Sequence, residues 1–330
     1  MKTKFLRIVS VVMLVIVILA LGTLIAGAVA KSNLAKKYPA PGQLVDVGGY
    51  KMHISCTGQG SPTIILGAGS MENSLTWAKV QPEVARFTRV CSYDRAGYGW
   101  SEPSPRSRTA TTMEEELHTL LVNANIQGPY VLVGHSLGGM LMRVYTHNYP
   151  DEVVGLVLVD SLHEEQIIRL PEIQKRNLQE GVSQVRMLAL LSSTGIMALA
   201  PQAIPNPGIP DDAYAQLQAI TATSGIFKTT IAEFNVMEES FTEVRALRIT
   251  SFGDLPLIVL SAGRFEVNPV LSDAENQQVR EGWQAQQSEQ AALSSDSKQV
   301  IAEQSGHNIQ LDQPDLVVEA IQEIVDANRK

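Results

Sequence analysis

The sequence predicts an α/β fold in which a mostly parallel, eight-stranded sheet carries helices on both faces. A helical insertion interrupts the sheet, and a membrane-spanning helix precedes it. Short apolar runs alternate with helical patterns along most of the chain, which is typical of a parallel sheet. This alternation stops over residues 162–253 and then resumes. The first 30 residues contain a long run without a charged side chain.

The N-terminal segment, residues 1–30, is predicted to be a transmembrane signal anchor. Residues 8–30 carry no charge, and a helix of that length reaches roughly 30 Å, about the thickness of the hydrocarbon core of a bilayer. This length favours a retained single-pass anchor, and we expect the body to lie outside the cytoplasm. An A-x-A-like site at residues 28–30 leaves a cleaved signal peptide, and so a secreted protein, as the alternative. The polar residues 31–43 are predicted to form a linker.

The charge balance argues against nucleic acid as a partner. The chain has 26 basic and 34 acidic residues; residues 1–30 hold three of the basic ones and none of the acidic ones, so the rest carries a formal charge of −11. Phosphate binding requires clustered Lys and Arg, which an acidic body does not supply. Neither cysteine lies in a zinc-ligand spacing, so we expect no metal site.

The predicted core comprises residues 44–161 and 254–330. A β-hairpin with a Gly-Gly turn covers residues 44–55, and short apolar runs predict the other strands at 63–66, 89–93, 130–133, 153–159, 256–260 and 299–301. Helical patterns lie at 75–86, 111–125, 140–149, near 273–293 and from about residue 315. Residues 162–253 between these parts are predicted to form helices and loops.

A G-x-S-x-G segment, Gly134 to Gly138, joins a predicted buried strand to a predicted helix. This position puts Ser136 on a strained turn with its hydroxyl clear of the sheet, where the two glycines avoid collisions with neighbouring backbone. The backbone N–H of Leu137 begins the helix and would point towards a developing oxyanion. An ordinary Gly/Ser turn is the alternative without function.

Residues 44–328 resemble the α/β-hydrolase fold family, in its branch with a helical cap. Four segments carry the resemblance in chain order: 63–69 resembles the strand and oxyanion loop, 94–101 (DRAGYGWS) the D-x-R-G-x-G-x-S segment, 134–138 the nucleophile elbow and 305–307 the S-G-H after the last strand. The resemblance implies that residues 162–253 form the cap. It also implies that Ser136 is a nucleophile and that His307 is the base that takes its proton.

The acid of the implied triad has more than one candidate. The family usually places it after the seventh strand, where Phe265 occupies the expected position and Glu266 follows one residue later. Some branches place it after the sixth strand, where this chain has Asp160. We favour Asp160, with Glu266 and then Asp254 as alternatives. A loop hydrogen bond or helix cap is the non-catalytic interpretation of Asp160.

The second oxyanion donor is expected in the loop that follows residues 63–66. Gly69 matches the family's glycine there, which makes the Ser70 N–H the predicted donor and Ala68 the alternative.

Asp94 and Arg95 are expected to fix loops. The apolar cap residues are expected either to pack helices together or to form a hydrophobic roof over the pocket: Met187, Leu188, Leu190, Leu191, Ile196 and Met197.

Two more expectations concern histidines and cysteines. His135 is expected to pack beneath the nucleophile, and His163 is a second candidate for the pocket. In the resembled fold the second and fourth strands are neighbours, which brings Cys56 and Cys91 together. A disulfide is expected if the body is outside the cytoplasm, and two buried thiols if it is inside.

The functional prediction is a serine hydrolase of carboxylic esters or related acyl substrates, working through a Ser-His-Asp triad without a cofactor. Its partners would be a small-molecule substrate and, through the N-terminal helix, a membrane. An acyltransferase or a cofactor-free perhydrolase on the same fold is an alternative, as is a membrane-tethered binding protein with a degenerate site. Ser136 argues against the family's epoxide hydrolases and dehalogenases, because these use Asp as nucleophile.

Overall fold

The computed structural model describes residues 2–170 and 172–329, with Lys2 and residues 173–180 described by their backbone. Within this part of the chain, eight strands form one sheet in the order β1-β2-β4-β3-β5-β6-β7-β8. The strands are β1 (Gln43–Asp46), β2 (Lys51–Thr57), β3 (Thr63–Gly67), β4 (Val90–Tyr93), β5 (Tyr130–His135), β6 (Val153–Val159), β7 (Leu257–Ala262) and β8 (Ser297–Ala302). β2 is antiparallel to both of its neighbours, and the other pairs are parallel. The predicted mostly parallel sheet is confirmed.

Helices cover both faces of the sheet and fill the long interval between β6 and β7. Before that interval lie α1 (Lys2–Lys37), α2 (Gln81–Val84), α3 (Ala110–Asn123) and α4 (Leu137–Asn148). The interval holds α5 (Gln166–Arg169), α6 (Glu172–Ser193), α7 (Ile196–Leu199), α8 (Asp211–Thr223), α9 (Ile226–Asn235) and α10 (Met237–Leu247). After it come α11 (Asp273–Ala291), α12 (Ile309–Asp312) and α13 (Pro314–Ala327). We call the helices α5–α10 the cap.

The core has two apolar layers because the central strands are buried on both faces. On one face, α3 and α4 pack against the sheet through Leu117, Leu121 and Met142. On the other face, α13 does so through Val317 and Ile321. Continuous apolar runs are what a parallel strand with two covered faces requires, which is why these strands could be predicted.

α1 is longer than the predicted membrane segment. Its apolar part has a mean hydropathy of 3.1 over an 18-residue window, and length and composition suit a membrane span. The helix does not end at residue 30 but continues to Lys37, so the first half of the predicted polar linker is helical. The chain then meets the core, where the Trp100 indole N–H donates to the Tyr38 carbonyl at 3.0 Å. Residues 31–37 of the predicted linker are helical, because polarity alone does not end a helix that packs against the body.

A disulfide joins β2 to β4. Cys56 and Cys91 lie directly opposite each other in the antiparallel pairing of these strands and are covalently linked. β2 and β4 are therefore neighbours in the sheet, as the resemblance implied.

Candidate active site

The G-x-S-x-G segment forms a sharp strand-to-helix turn. β5 ends at His135 and α4 begins at Leu137, so Ser136 lies between them with φ 51° and ψ −120°. A non-glycine residue at positive φ is strained, and such strain persists only where the surroundings fix it. A Cβ on Gly134 would lie 2.5 Å from the Gly138 carbonyl oxygen, and one on Gly138 would lie 2.4 Å from the Gly67 carbonyl oxygen. Both positions therefore need glycine.

Asp160 and His307 lie together at the carboxyl edge of the sheet. The His307 Nδ1 and the Asp160 Oδ2 are 2.6 Å apart. The other carboxylate oxygen accepts the Ala262 N–H at 2.9 Å and the Trp283 indole N–H at 2.8 Å. The Asp160 side chain is only 2% exposed, whereas that of His307 is 46% exposed. A carboxylate only accepts hydrogen bonds, so Nδ1 carries the proton and Nε2 is left as the basic nitrogen.

The structure separates the other acid candidates from His307. Glu266 is exposed on the loop after β7, at the rim of the cavity that Asp160 and His307 also line. Asp254 is exposed before β7, and so lies near the opposite edge of the sheet. Among the predicted acids, the structure thus brings Asp160 to the histidine.

Arg95 holds the backbone of the predicted oxyanion loop. Its guanidinium donates to the Ala68 carbonyl and, at 2.9 Å, to the Gly69 carbonyl. The Gly69 N–H donates to Glu72 Oε2 at 2.7 Å, so it is already engaged. In a trans peptide the N–H points opposite to the preceding C=O. The Gly69 carbonyl bound to Arg95 therefore directs the Ser70 N–H away from the guanidinium, and Ser70 lines a cavity together with Ser136 and Leu137.

A buried ion pair connects this loop to the cap. The Arg95 Nε donates to Glu233 of α9 at 3.2 Å, and both side chains are buried. The Tyr98 hydroxyl donates to the same carboxylate at 2.7 Å and the Ser70 hydroxyl at 3.2 Å. Burial alone would lower the pKa of Arg95, but the charge and hydrogen bond of Glu233, together with Tyr98 and Tyr93, raise that pKa overall. Arg95 is thus more than the loop support that we expected, because it joins two loops and the cap.

His135 packs beneath the site as expected, and it does so as half of an ion pair. Its Nδ1 lies 2.8 Å from Glu72 Oε2, and its Nε2 lies 3.0 Å from the His307 carbonyl oxygen. The carboxylate and carbonyl oxygens can only accept hydrogen bonds, so the doubly protonated ring, which donates from both nitrogens, satisfies them best. Burial lowers the pKa of His135, but the charge and hydrogen bond of Glu72, with the Asp160 charge and the His307 carbonyl, together raise it. The imidazolium and the Gly69 N–H in turn lower the pKa of Glu72 against the effect of burial.

Two cavities meet at Ser136 and His307. One, of about 320 Å³, lies between the core and the cap and is mainly apolar, with side chains that include Met140, Ile167, Phe234, Met237 and Phe241. The other, of about 690 Å³, is lined by residues that include Asp160, Trp283, Arg264, Phe265 and Glu266. A ligand at Ser136 can thus extend in two directions, one of them apolar.

Other predicted residues lie outside these cavities. His163 is buried beside Glu164 and Glu289 and lines neither cavity, and burial lowers its pKa. Met187, Leu188, Leu190 and Ile196 do not form the expected roof, because their side chains are exposed and do not line the apolar cavity. Asp94 has the expected structural role: its carboxylate accepts the N–H groups of Ser74 and Trp100 and pairs with His53.

The sequence did not reveal three of the residues that build the site. Glu72, Glu233 and Trp283 lie on a loop, on the cap and on α11, far along the chain from the groups they contact. Two features of the sequence could have indicated Glu233 and Trp283. Glu233 lies on the buried face of α9, seven residues after Ile226, where an acid is unusual. Trp283 is a lone aromatic residue in a polar helix.

Comparisons with known proteins agree with this fold. The model of the α/β hydrolase fold matches residues 62–193. The protein YbdG of Bacillus subtilis is 29% identical over 172 residues, which is 51% of this chain and 51% of that protein. A vacuolar membrane protein of Saccharomyces cerevisiae is 32% identical over 138 residues, 36% of this chain and 21% of that protein. The chain thus matches about half or less of the length of these relatives.

A solved structure has the same fold over most of the chain. The epoxide hydrolase CorEH is superimposed with a TM-score of 0.62 at 17% identity, covering 87% of this chain and 98% of that one. At this low identity the superposition shows a shared fold and does not show a shared reaction. The match of residues 62–193 to the family model, the sheet order and the structural neighbour agree, and the chain has the α/β-hydrolase fold.

Proposed function

We propose that the protein is a serine hydrolase that cleaves carboxylic esters or closely related acyl compounds. The observation that carries this proposal is the hydrogen bond of 2.6 Å between His307 and the buried Asp160 at the two cavities that also contain Ser136. A hydroxyl is a weak nucleophile at neutral pH, and an imidazole held by a carboxylate supplies the base that it needs.

In the proposed reaction the Ser136 oxygen bonds to the acyl carbon while its proton passes to His307 Nε2. The N–H groups of Leu137 and Ser70 hold the oxyanion of the tetrahedral intermediate. The bond between the acyl carbon and the ester oxygen then breaks, and His307 returns the proton to the departing alcohol. Water repeats the sequence on the acyl-enzyme, which releases the acid and restores Ser136.

The two cavities suggest how the substrate lies. The apolar cavity between Leu137, Met140 and the cap suits an acyl chain or an aromatic acyl group. The larger cavity on the side of Asp160 and Trp283 suits the leaving group and the water that replaces it. We therefore expect medium-chain acyl esters to be better substrates than acetate esters.

The proposed location is a single-pass membrane protein with its catalytic body outside the cytoplasm. α1 supplies the apolar helix. The disulfide between Cys56 and Cys91 supports the orientation, because structural disulfides persist in oxidising compartments and are rare in the cytosol.

The Asp160→Asn variant tests the triad, with Glu266→Gln as its matched control. We expect Asp160→Asn to lose on the order of 10³–10⁴-fold in kcat on p-nitrophenyl butyrate, because an amide cannot hold the imidazole in the required tautomer. Glu266→Gln should retain its activity. Thermal melting of both variants establishes that they are folded. An active Asp160→Asn beside an inactive Glu266→Gln would reverse the assignment of the acid.

A further inference from the structure

The cap carries an apolar surface that no part of the described core covers. The stretch of residues 187–210 contains no charged side chain, although the body as a whole is acidic. Met187 and Leu190 are each 59% exposed, Leu199 is 44% exposed and Ile196 is 39% exposed. We call these four side chains the apolar cap face. Contiguous exposed apolar residues on a protein surface mark a site of interaction with a partner or a membrane.

The end of α1 lies directly against this part of the cap. A Cβ on Gly27 would lie 2.8 Å from the Gly195 backbone, and a Cβ on Gly195 would lie 2.6 Å from the Gly27 backbone. The two backbones are therefore in contact, which only residues without a side chain allow. Gly195 precedes α7, whose first and last residues, Ile196 and Leu199, belong to the apolar cap face.

This contact fixes the depth of the cap relative to the uncharged helix. Gly27 lies within the uncharged run 8–30, three residues before its end, or roughly 4.5 Å along the helix axis. The same side of α1 continues towards the body through Lys31 and Leu34, which are half-buried. If the run 8–30 spans the bilayer, Gly195 and α7 are at the level where the apolar span ends.

We propose that the apolar cap face is a membrane-binding surface, set into the headgroup region of the same bilayer that α1 crosses. The occupant is lipid: the segment that carries the patch contacts the apolar helix at Gly27, and its lack of charge suits the boundary between headgroups and acyl chains. An acidic body would not be drawn to anionic lipid by charge, so apolar contact supplies the attachment. The inference does not depend on the chemistry at Ser136.

Two packed helices, α6 and α9, connect the apolar cap face to the candidate active site. Val185 and Ala189 of α6 pack against Ile226 and Phe227 of α9. The C-terminal end of α9 carries Glu233 and Phe234, which line the apolar cavity. This pair of helices thus links the membrane-binding surface to the acyl cavity.

Site-specific fluorescence of the full chain in lipid vesicles tests the proposal. An environment-sensitive probe is attached to Leu190→Cys and, separately, to Ile196→Cys. Val15→Cys in the middle of α1 is the positive control. Ile301→Cys, an exposed apolar position on the edge strand β8, is the negative control. Phospholipids that carry a quencher on the upper part of the acyl chain are included in the vesicles, and thermal melting confirms that each variant is folded.

We expect probes at positions 190 and 196 to lose most of their emission to the lipid quencher, while the probe at 301 loses little. Probes at 190 and 196 that are quenched no more than the probe at 301, with strong quenching at 15, would overturn the proposal. An unquenched probe at 15 would also overturn it, because α1 would then lie outside the bilayer. Self-quenching at 190 without lipid quenching would assign the surface to a second copy of the chain instead.

Discussion

Two residues at the site, Ser136 and Asp160, have positive φ angles of 51° and 42°. Each follows directly after a parallel strand, β5 and β6 respectively. Backbone strain of this kind costs on the order of 1–3 kcal/mol per residue and persists where the surroundings determine it. At Asp160 the surroundings include the Leu260 carbonyl, which accepts the Asp160 N–H at 2.7 Å. The strain is located where two side chains must project from the sheet edge.

Arg95 is predicted to position the oxyanion loop. In Arg95→Lys the charge opposite Glu233 remains, but the planar fork that holds two carbonyls is lost. We expect kcat on p-nitrophenyl butyrate to fall by about 10- to 100-fold with KM changed little, because the Ser70 N–H loses its fixed direction. Steady-state kinetics measure both constants.

The matched control for Arg95→Lys is Arg106→Lys, an exposed arginine that pairs with Glu115. This variant should behave as the wild type. If Arg95→Lys lowers the melting temperature but leaves kcat unchanged, the role of Arg95 is structural and the proposed orientation of the oxyanion loop is wrong.

Glu114 on α3 is predicted to make stability depend on pH. Burial raises its pKa to about 7, and its Oε1 has no hydrogen-bond partner among the described residues. A carboxyl whose pKa is raised in the folded state destabilises that state as pH rises from the unfolded pKa through the folded one. Glu114→Gln should therefore match the wild type near pH 5 and be more stable at pH 8, by up to about 3 kcal/mol.

Thermal or denaturant unfolding at both pH values measures the effect of Glu114→Gln. Glu115→Gln, on the exposed side of the same helix turn, is the control and should show a much smaller dependence on pH. A stability difference between Glu114→Gln and the wild type that is the same at pH 5 and pH 8 would contradict the prediction.

At the scale of residues, the sequence predicted those site residues that a local sequence pattern marks. Ser136 and His307 could be identified because each lies in a short motif beside a predicted strand. The choice between Asp160 and Glu266 could not be made from local pattern, since both follow parallel strands that end at the same edge. The distance to His307 separates them, and that distance depends on how two loops far apart in the chain pack together.

At the scale of elements, the strands were predictable and the extent of α1 was not. Apolar runs bounded by glycine and polar residues mark buried strands, because burial on both faces leaves no room for polar side chains. Residues 31–37 are mostly polar, yet they remain helical because Lys31 and Leu34 lie against the body and no proline occurs before Pro39. Contact with the body, which the sequence does not display, determines where this helix ends.

The disulfide between β2 and β4 is predicted to stabilise the edge of the sheet. Closing the loop between Cys56 and Cys91, a separation of 35 residues, restricts the unfolded chain and should contribute about 3–4 kcal/mol in the loop-entropy model. The double variant Cys56→Ala, Cys91→Ala should melt several degrees lower than the oxidised protein. Thermal melting with and without reductant provides the comparison.

Reductant should lower the melting temperature of the wild type and leave the double variant unchanged. Thiol labelling of the folded protein, isolated without reductant, should find no free cysteine. Two labelled cysteines in that sample would show that the bond is absent and would remove the support for an extracytoplasmic body.

At the scale of the whole molecule, α1, the cap and the carboxyl edge of the sheet form one arrangement. α1 contacts the cap at Gly195, and the cap supplies Glu233 to the predicted oxyanion loop through Arg95. Composition predicted the apolar helix and periodicity the sheet, whereas the cap and the site residues followed from the resemblance to a family. The sequence could not predict that the uncharged cap stretch turns outward, because periodicity shows that a helix has an apolar face but not which surface covers that face.

The choice of substrate also depends on the whole molecule, because the cap and the core together form the apolar cavity. Ile167, Phe234, Met237 and Phe241 of the cap line the apolar cavity, and the core supplies Met140 opposite them. The size of this cavity results from the packing of two parts of the chain that are distant in sequence. A series of p-nitrophenyl esters of increasing chain length therefore measures a property of the assembled molecule.

An activated Ser136 is the central claim, and covalent labelling with a fluorophosphonate probe tests it most directly. The full chain in detergent is treated beside the folded Ser136→Ala variant, and mass spectrometry of the peptides locates the adduct. We expect the wild type to carry the probe on Ser136 and the variant to remain unlabelled. A folded wild type that does not react, or an adduct that persists in Ser136→Ala, would contradict the claim.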